Sequence, residues 1–139
     1  MTKVPKFWKK AKTYLSKKDK TLSNLIKIYS SPSEIILTTR KDIFYSLCKS
    51  IIGQQISVAA ANSVFLKFKK KCKNNINAKV VSKLHFSQLK NCGLSRQKVI
   101  GIKNLARQII NKNFNPKLIA KMSDEDAIIY LSNLKQIGR

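Results

Sequence analysis

Carboxylates, cysteines, histidines and flexible spacers are all scarce in this chain, and each shortage excludes something. One histidine and three cysteines (Cys48, Cys72, Cys92) make up the soft metal ligands in 139 residues. They have no C-x-x-C spacing, and His85 stands alone, so no metal signature is present. An odd number of cysteines is no disulfide framework either. They read as reduced thiols packed as small hydrophobes, which fits a cytoplasmic compartment. Four glycines and three prolines leave no low-complexity linker, and no repeat is visible. No apolar run is long enough to cross a bilayer. The N-terminal "MTKVPKFWKKAKTYLSKK" is basic but has no apolar stretch or small-residue cleavage site, so it does not read as a secretion signal. It also lacks arginine, which argues against an organellar presequence.

What is present in excess is positive charge. Twenty-nine Lys and Arg against six Asp and Glu give a formal +23. Such an imbalance repels itself in a compact fold unless a polyanion relieves it, and nucleic acid is the usual partner. The richness in Lys, Asn and Ile is also what A/T-rich codons supply, so composition alone leaves solvated lysines open. Scattering of the lysines over several segments disfavours an anionic membrane surface, which selects one amphipathic face.

Hydrophobic residues form 43 % of the chain, enough for one domain with a core. Their period is helical almost throughout. Ile43, Phe44, Leu47, Cys48, Ile51 and Ile52 fall on one face, and Val64, Phe65, Phe68 and Cys72 on another. Val99, Ile102, Leu105, Ala106, Ile109 and Ile110 form a third stripe, with Lys98, Lys103, Arg107 and Lys112 expected to point elsewhere. Ala127, Ile128, Leu131 and Leu134 form a fourth. Ser57, Ser95 and Ser123 suit helix N-caps, the last followed by Asp124, Glu125 and Asp126 at a positive helix end. Gly93 suits a left-handed residue closing a helix. "EIILTT" (34–39) is the one strand-like run; with no pairing partner it reads as connection or helix. The fold class is all-α: six or so short amphipathic helices, with residues 1–20 as a basic N-terminal segment and 21–139 as the folded domain.

One stretch resists this account. "SIIGQQISVAAANS" (50–63) sets two primary amides side by side at the end of one apolar helix and the start of the next, where a core has no use for them. Read by itself, the pair caps the first helix and bridges to a neighbouring loop. With its continuation, "SIIGQQISVAAANSVFLKF" resembles the helix–loop–helix signature of the DNA-3-methyladenine glycosylase II family, within the helix-hairpin-helix DNA glycosylase superfamily. "LKNCGLSRQKVIGIKNLARQI" (89–109) is similar to that family's next signature. "SDEDAIIYLSNLKQIGR" (123–139) resembles the helix leading into its DNA-binding hairpin. The three occur in the family's order.

The resemblance implies a bundle of helices of the helix-hairpin-helix glycosylase type and a role in base excision repair. The damaged nucleotide is flipped out of duplex DNA and an alkylated purine is removed by hydrolysis of its N-glycosidic bond, with no cofactor and no metal. The implied protein is a monomer associated with the nucleoid. It places the wedge that fills the vacated space in the duplex on Gln55, with Gln54 beside it as a bridge. Gln54, Gln55 and Ser57 of the loop, with Lys135, Gln136, Ile137, Gly138 and Arg139 of the hairpin, are the implied DNA-binding residues. The family hairpin reads Gly-apolar-Gly; here Gln136 replaces the first glycine, which predicts negative φ at that position.

The family's Trp-Thr-Ala stretch and its catalytic aspartate are not found in the 139 residues. None of the six acids (Asp19, Glu34, Asp42, Asp124, Glu125, Asp126) matches a catalytic position. The expectation is therefore an N-terminal part of a glycosylase, incomplete at the hairpin and inactive alone. The alternatives are a non-catalytic basic DNA-binding module and a basic helical protein of an RNA assembly, the latter supported by charge only.

Overall fold

The computed structural model describes residues 4–30 and 42–138, and these are helical, with no strand among them. The chain divides into two compact units, residues 1–41 and 42–139. In the first, α1 (Trp8–Lys18) packs on α2 (Lys20–Tyr29). Asp19 separates them and caps α2, its carboxylate accepting from the Leu22 N–H at 2.8 Å. Neither helix buries a residue, and Tyr14, Leu25, Ile28 and Tyr29 are exposed. The run 34–39 lies outside the described residues, as does Arg139.

The second unit holds the core. Its helices are α3 (Ile43–Gly53), α4 (Val58–Lys71), α5 (Ala78–Lys83), α6 (Phe86–Lys90), α7 (Arg96–Ile110) and α8 (Asp124–Ser132). A 3-10 turn spans Pro116–Lys121 between the last two. With eight α-helices among the described residues, the chain is cut more finely than its hydrophobic periods alone announce. The extra breaks fall where α5 and α6, six and five residues long, begin at Asn77 and His85. The Asn77 side chain accepts from the Val80 N–H, and the Gln88 side chain accepts from the His85 N–H. Local side-chain bonds of this kind start helices without any long apolar stripe.

The expected caps form at Ser57, Ser95 and Ser123, each accepting a backbone N–H three residues on. Gly93 has φ +95, and a Cβ there would sit 3.2 Å from Val64. Left-handed backbone and close approach both select glycine at that turn.

α7 is the centre of the unit. Val99, Ile102, Leu105 and Ala106 are buried, and the helix packs on α3, α5 and α6. Phe44, Cys48, Ile51 and Ile52 face it from α3, and Phe65, Phe68 and Cys72 complete the cluster from α4 and its end. Tyr45 meets Phe65 edge to face at 5.1 Å. Phe114 stacks on Tyr130 at 5.0 Å, and the Tyr130 hydroxyl accepts from the Asn115 N–H, which ties the 3-10 turn to α8.

Two lysines of α7 do not point away from the core, contrary to their pattern in the sequence. Lys98 Nζ donates to the Ile52 carbonyl at 2.8 Å, and Lys103 Nζ donates to the Ser82 and Leu84 carbonyls at 3.2 and 2.5 Å. Both are half-buried and serve the ends of α3 and α5, where unpaired carbonyls carry the negative end of the helix dipole. The long aliphatic stem lets the head reach these groups while the methylenes pack.

The three thiols are free and buried. Burial pushes Cys72 up to about 11, with the neighbouring Cys92 adding to it. Burial likewise raises Cys48, helped by Cys72 and Asp42, and raises Cys92. Native protein at about pH 8 should therefore react with no equivalent of a thiol-specific disulfide reagent and with three equivalents after denaturation; fast native labelling would contradict the packing. Replacing Lys103 by Met keeps the stem but removes two charged hydrogen bonds. It should lower the unfolding free energy by about 1.5–3 kcal/mol in urea titrations.

Candidate nucleic-acid interface

The two glutamines end α3. Gln54 is its C-cap, with extended backbone (φ −61, ψ 133), and its N–H bonds the Ile51 carbonyl at 3.4 Å. The next residue, Gln55, is exposed and left-handed at φ +57. An L-residue there costs about 1 kcal/mol or more, and the turn it makes lets Ser57 start α4 two residues later. Ile56 and Val58 beside it are exposed too, so the loop presents amide and apolar groups outward. Among the described residues a Cβ on Gly53 would meet only Ala61, at 4.0 Å, so packing against them does not require a glycine there.

The second group of predicted residues follows α8. Leu134 is buried and its N–H bonds the Leu131 carbonyl; the Ile137 N–H bonds the Leu134 carbonyl at 3.2 Å. Between them the chain turns at Gln136 with φ +68. The negative φ expected of a non-glycine at this position is thus not what forms. The turn keeps its left-handed shape and a glutamine occupies it, because tertiary partners offset the local cost. The Gln136 carbonyl accepts from Gln54 Nε2 at 2.7 Å, and the Gln136 side chain lies against Gly101 of α7.

Of the sequence-derived residues, the structure therefore brings Gln54 and Gln136 into direct contact. Gln55 and Ser57 share the loop with Gln54. Lys135, Ile137 and Gly138 share the turn with Gln136, Lys135 and Gly138 exposed and Ile137 half-buried. Arg139 lies outside the described residues. Lys135 also borders a groove of about 490 Å³ with Phe86, Ile100, Lys103, Asn104 and Arg107. What sequence reading missed is the seat beneath: Lys98, which bonds the end of α3, and Gly101, which receives the turn after α8. A glycine in mid-helix costs about 1 kcal/mol against alanine and was the available signal.

The described acids hold structural positions. Asp19 and Asp42 cap α2 and α3, Asp42 accepting from the Tyr45 N–H at 2.9 Å. Asp124, Glu125 and Asp126 form the first turn of α8, with Asp126 accepting from the Ser123 hydroxyl at 2.7 Å. Among the described residues no group of three or more His, Cys, Asp or Glu is placed to hold a metal ion. No helix among them is long and apolar enough to cross a membrane.

Comparison with known proteins gives this geometry a context. The chain is 27 % identical over 133 residues to DNA-3-methyladenine glycosylase 1 of Schizosaccharomyces pombe, covering 94 % of this chain and 58 % of that protein. It is 29 % identical over 136 residues to the alkylbase DNA glycosidase-like protein mag2 of the same yeast, covering 95 % and 63 %. It superposes on the structure of S. pombe 3-methyladenine DNA glycosylase (Mag1) in complex with abasic DNA with a TM-score of 0.80 at 27 % identity, covering 94 % of this chain and 65 % of that one. The chain thus spans about three fifths of the length of these relatives. Residues 48–136, which run from the core of α3 through the Gln54–Gln136 contact, match the HhH-GPD superfamily of base excision DNA repair proteins, and the chain belongs to it.

Proposed function

We propose that this chain forms the duplex-gripping part of a monomeric glycosylase that removes alkylated purines, 3-methyladenine among them, from DNA. The observation that carries the reading is Gln55, exposed and left-handed at the tip of the α3–α4 loop, one residue from an amide bonded to the hairpin turn. Flipping a nucleotide costs a few kcal/mol of unstacking. A side chain that enters the vacated space and hydrogen-bonds the orphaned base offsets part of this, and a primary amide does both. Lys135 and the backbone N–H groups of the hairpin supply the phosphate contact. The S. pombe relatives, whose names specify 3-methyladenine or alkylbase glycosylase chemistry, support the substrate class.

Hydrolysis of the N-glycosidic bond passes through an oxocarbenium-like state that a carboxylate stabilises, with water adding to the sugar carbon and the base leaving. The described carboxylates stand at helix starts, and Glu34, outside the described residues, matches no catalytic position of the family, so in this reading the chain binds and distorts duplex but does not complete the chemistry. The same placement favours the second reading, a DNA-binding module with no reaction of its own.

Binding to a duplex oligonucleotide should be electrostatic, with little sequence preference. Four phosphate contacts correspond to about a hundredfold loss of affinity between about 50 and 200 mM salt; an affinity flat over that range would refute the DNA-binding reading. Residues 1–139 should release no 3-methyladenine from alkylated DNA above a no-protein control. Enzyme-dependent release would overturn the assignment of the described acids to structure.

A further inference from the structure

Lys98, Gly101, Gln54 and Gln136 form one closed circuit. Lys98 and Gly101 lie three apart on α7, hence on one face of it. Lys98 reaches the Ile52 carbonyl at 2.8 Å and so holds the last turn of α3. Gly101 receives the hairpin: a Cβ at that position would fall 2.7 Å from Gln136 Cγ, 2.9 Å from Gln136 Cβ and 3.4 Å from the Lys135 carbonyl oxygen. The Gln54 amide then joins the two ends, donating at 2.7 Å to a carbonyl 82 residues away.

The circuit fixes two left-handed residues, Gln55 and Gln136, that local preference would release. Gln136 is held by its carbonyl on one side and by the bare backbone of α7 on the other. Gln55 follows a residue whose side chain is anchored, and adjacent Cα atoms stand only about 3.8 Å apart. Displacement of the hairpin turn is therefore transmitted to the base of the loop through a single hydrogen bond.

We infer that Gln54 is a positioning residue that couples the two DNA contacts. Its amide makes the hairpin and the Gln55 loop one rigid body, so that seating the hairpin on a phosphate and inserting Gln55 into the duplex are a single event. The inference rests on the reading of Gln55 and the hairpin given above. It predicts that the contribution of Gln55 depends on the presence of the Gln54 bond.

The test uses the 139-residue chain and two duplex oligonucleotides, one with a single tetrahydrofuran abasic site and one intact. In free protein, Gln54→Ala and Gln54→Glu should speed hydrogen exchange of the Ile137 N–H about fivefold or more, the weight of one ordinary hydrogen bond, while the exchange of α7 core amides stays unchanged. With DNA, the wild-type chain should prefer the abasic duplex several-fold. Gln54→Ala should abolish that preference, and adding Gln55→Ala should then change nothing further, whereas Gln55→Ala alone reduces it. Gly101→Ala, which displaces the turn from the other side, should have the same effect. Gly101→Ala with Gln136→Gly should restore the preference, since the second change removes the clashing Cβ and Cγ and keeps the accepting carbonyl. Unchanged exchange at Ile137, or effects of Gln54→Ala and Gln55→Ala that simply multiply, would overturn the coupling. A wild-type chain without abasic preference would instead overturn the reading of Gln55, and the coupling would fall with it.

Discussion

The absence of a side chain at Gly101 is the constraint on which the candidate interface depends. α7 is buried along Val99, Ile102, Leu105 and Ala106, so it cannot move to accommodate a neighbour. A hairpin turn pressed against such a helix needs a position with no Cβ, and Gly101 provides it. One turn earlier on the same face, Lys98 takes the carbonyl end of α3. A single rigid helix thus sets the separation between a loop that starts one helix pair and a turn that follows the last helix. The cost of a glycine in mid-helix, about 1 kcal/mol, is small beside the strain that a misplaced turn would impose.

The charge of the chain is divided between two uses. Lys98 and Lys103 spend theirs inside the fold, on carbonyl groups that would otherwise stay unpaired at the ends of α3 and α5. The described acids do the complementary task, since Asp19, Asp42 and the 124–126 group all sit at helix starts where N–H groups need acceptors. Lys18 and Lys49 lie over the rings of Tyr14 and Phe65 at 5.9 and 5.7 Å. Lys9, Lys10 and Lys17 of α1, with Lys6 just before it, border one shallow groove with Thr13 and Tyr14, and Lys135 stands at the turn after α8. A surface so unbalanced attracts polyanions over about a Debye length, without selecting a sequence.

The all-α class and the buried faces of α3, α4 and α7 were determined by the sequence alone, because a period of 3.6 residues and strong serine caps leave little alternative. The "GQQ" loop was likewise legible, since two adjacent amides in an apolar run conflict with burial. Tertiary structure decided the rest. The sign of φ at Gln136 depends on a bond from a residue 82 positions away and on bare backbone across the gap, neither of which is encoded near Gln136. The direction of Lys98 and Lys103 was decided by carbonyl groups of helices remote in the chain, whereas local spacing assigned them to the outer face. Periodicity reports which side of a helix is apolar; only the assembled helices determine where an unpaired backbone group lies within reach of a long cationic side chain.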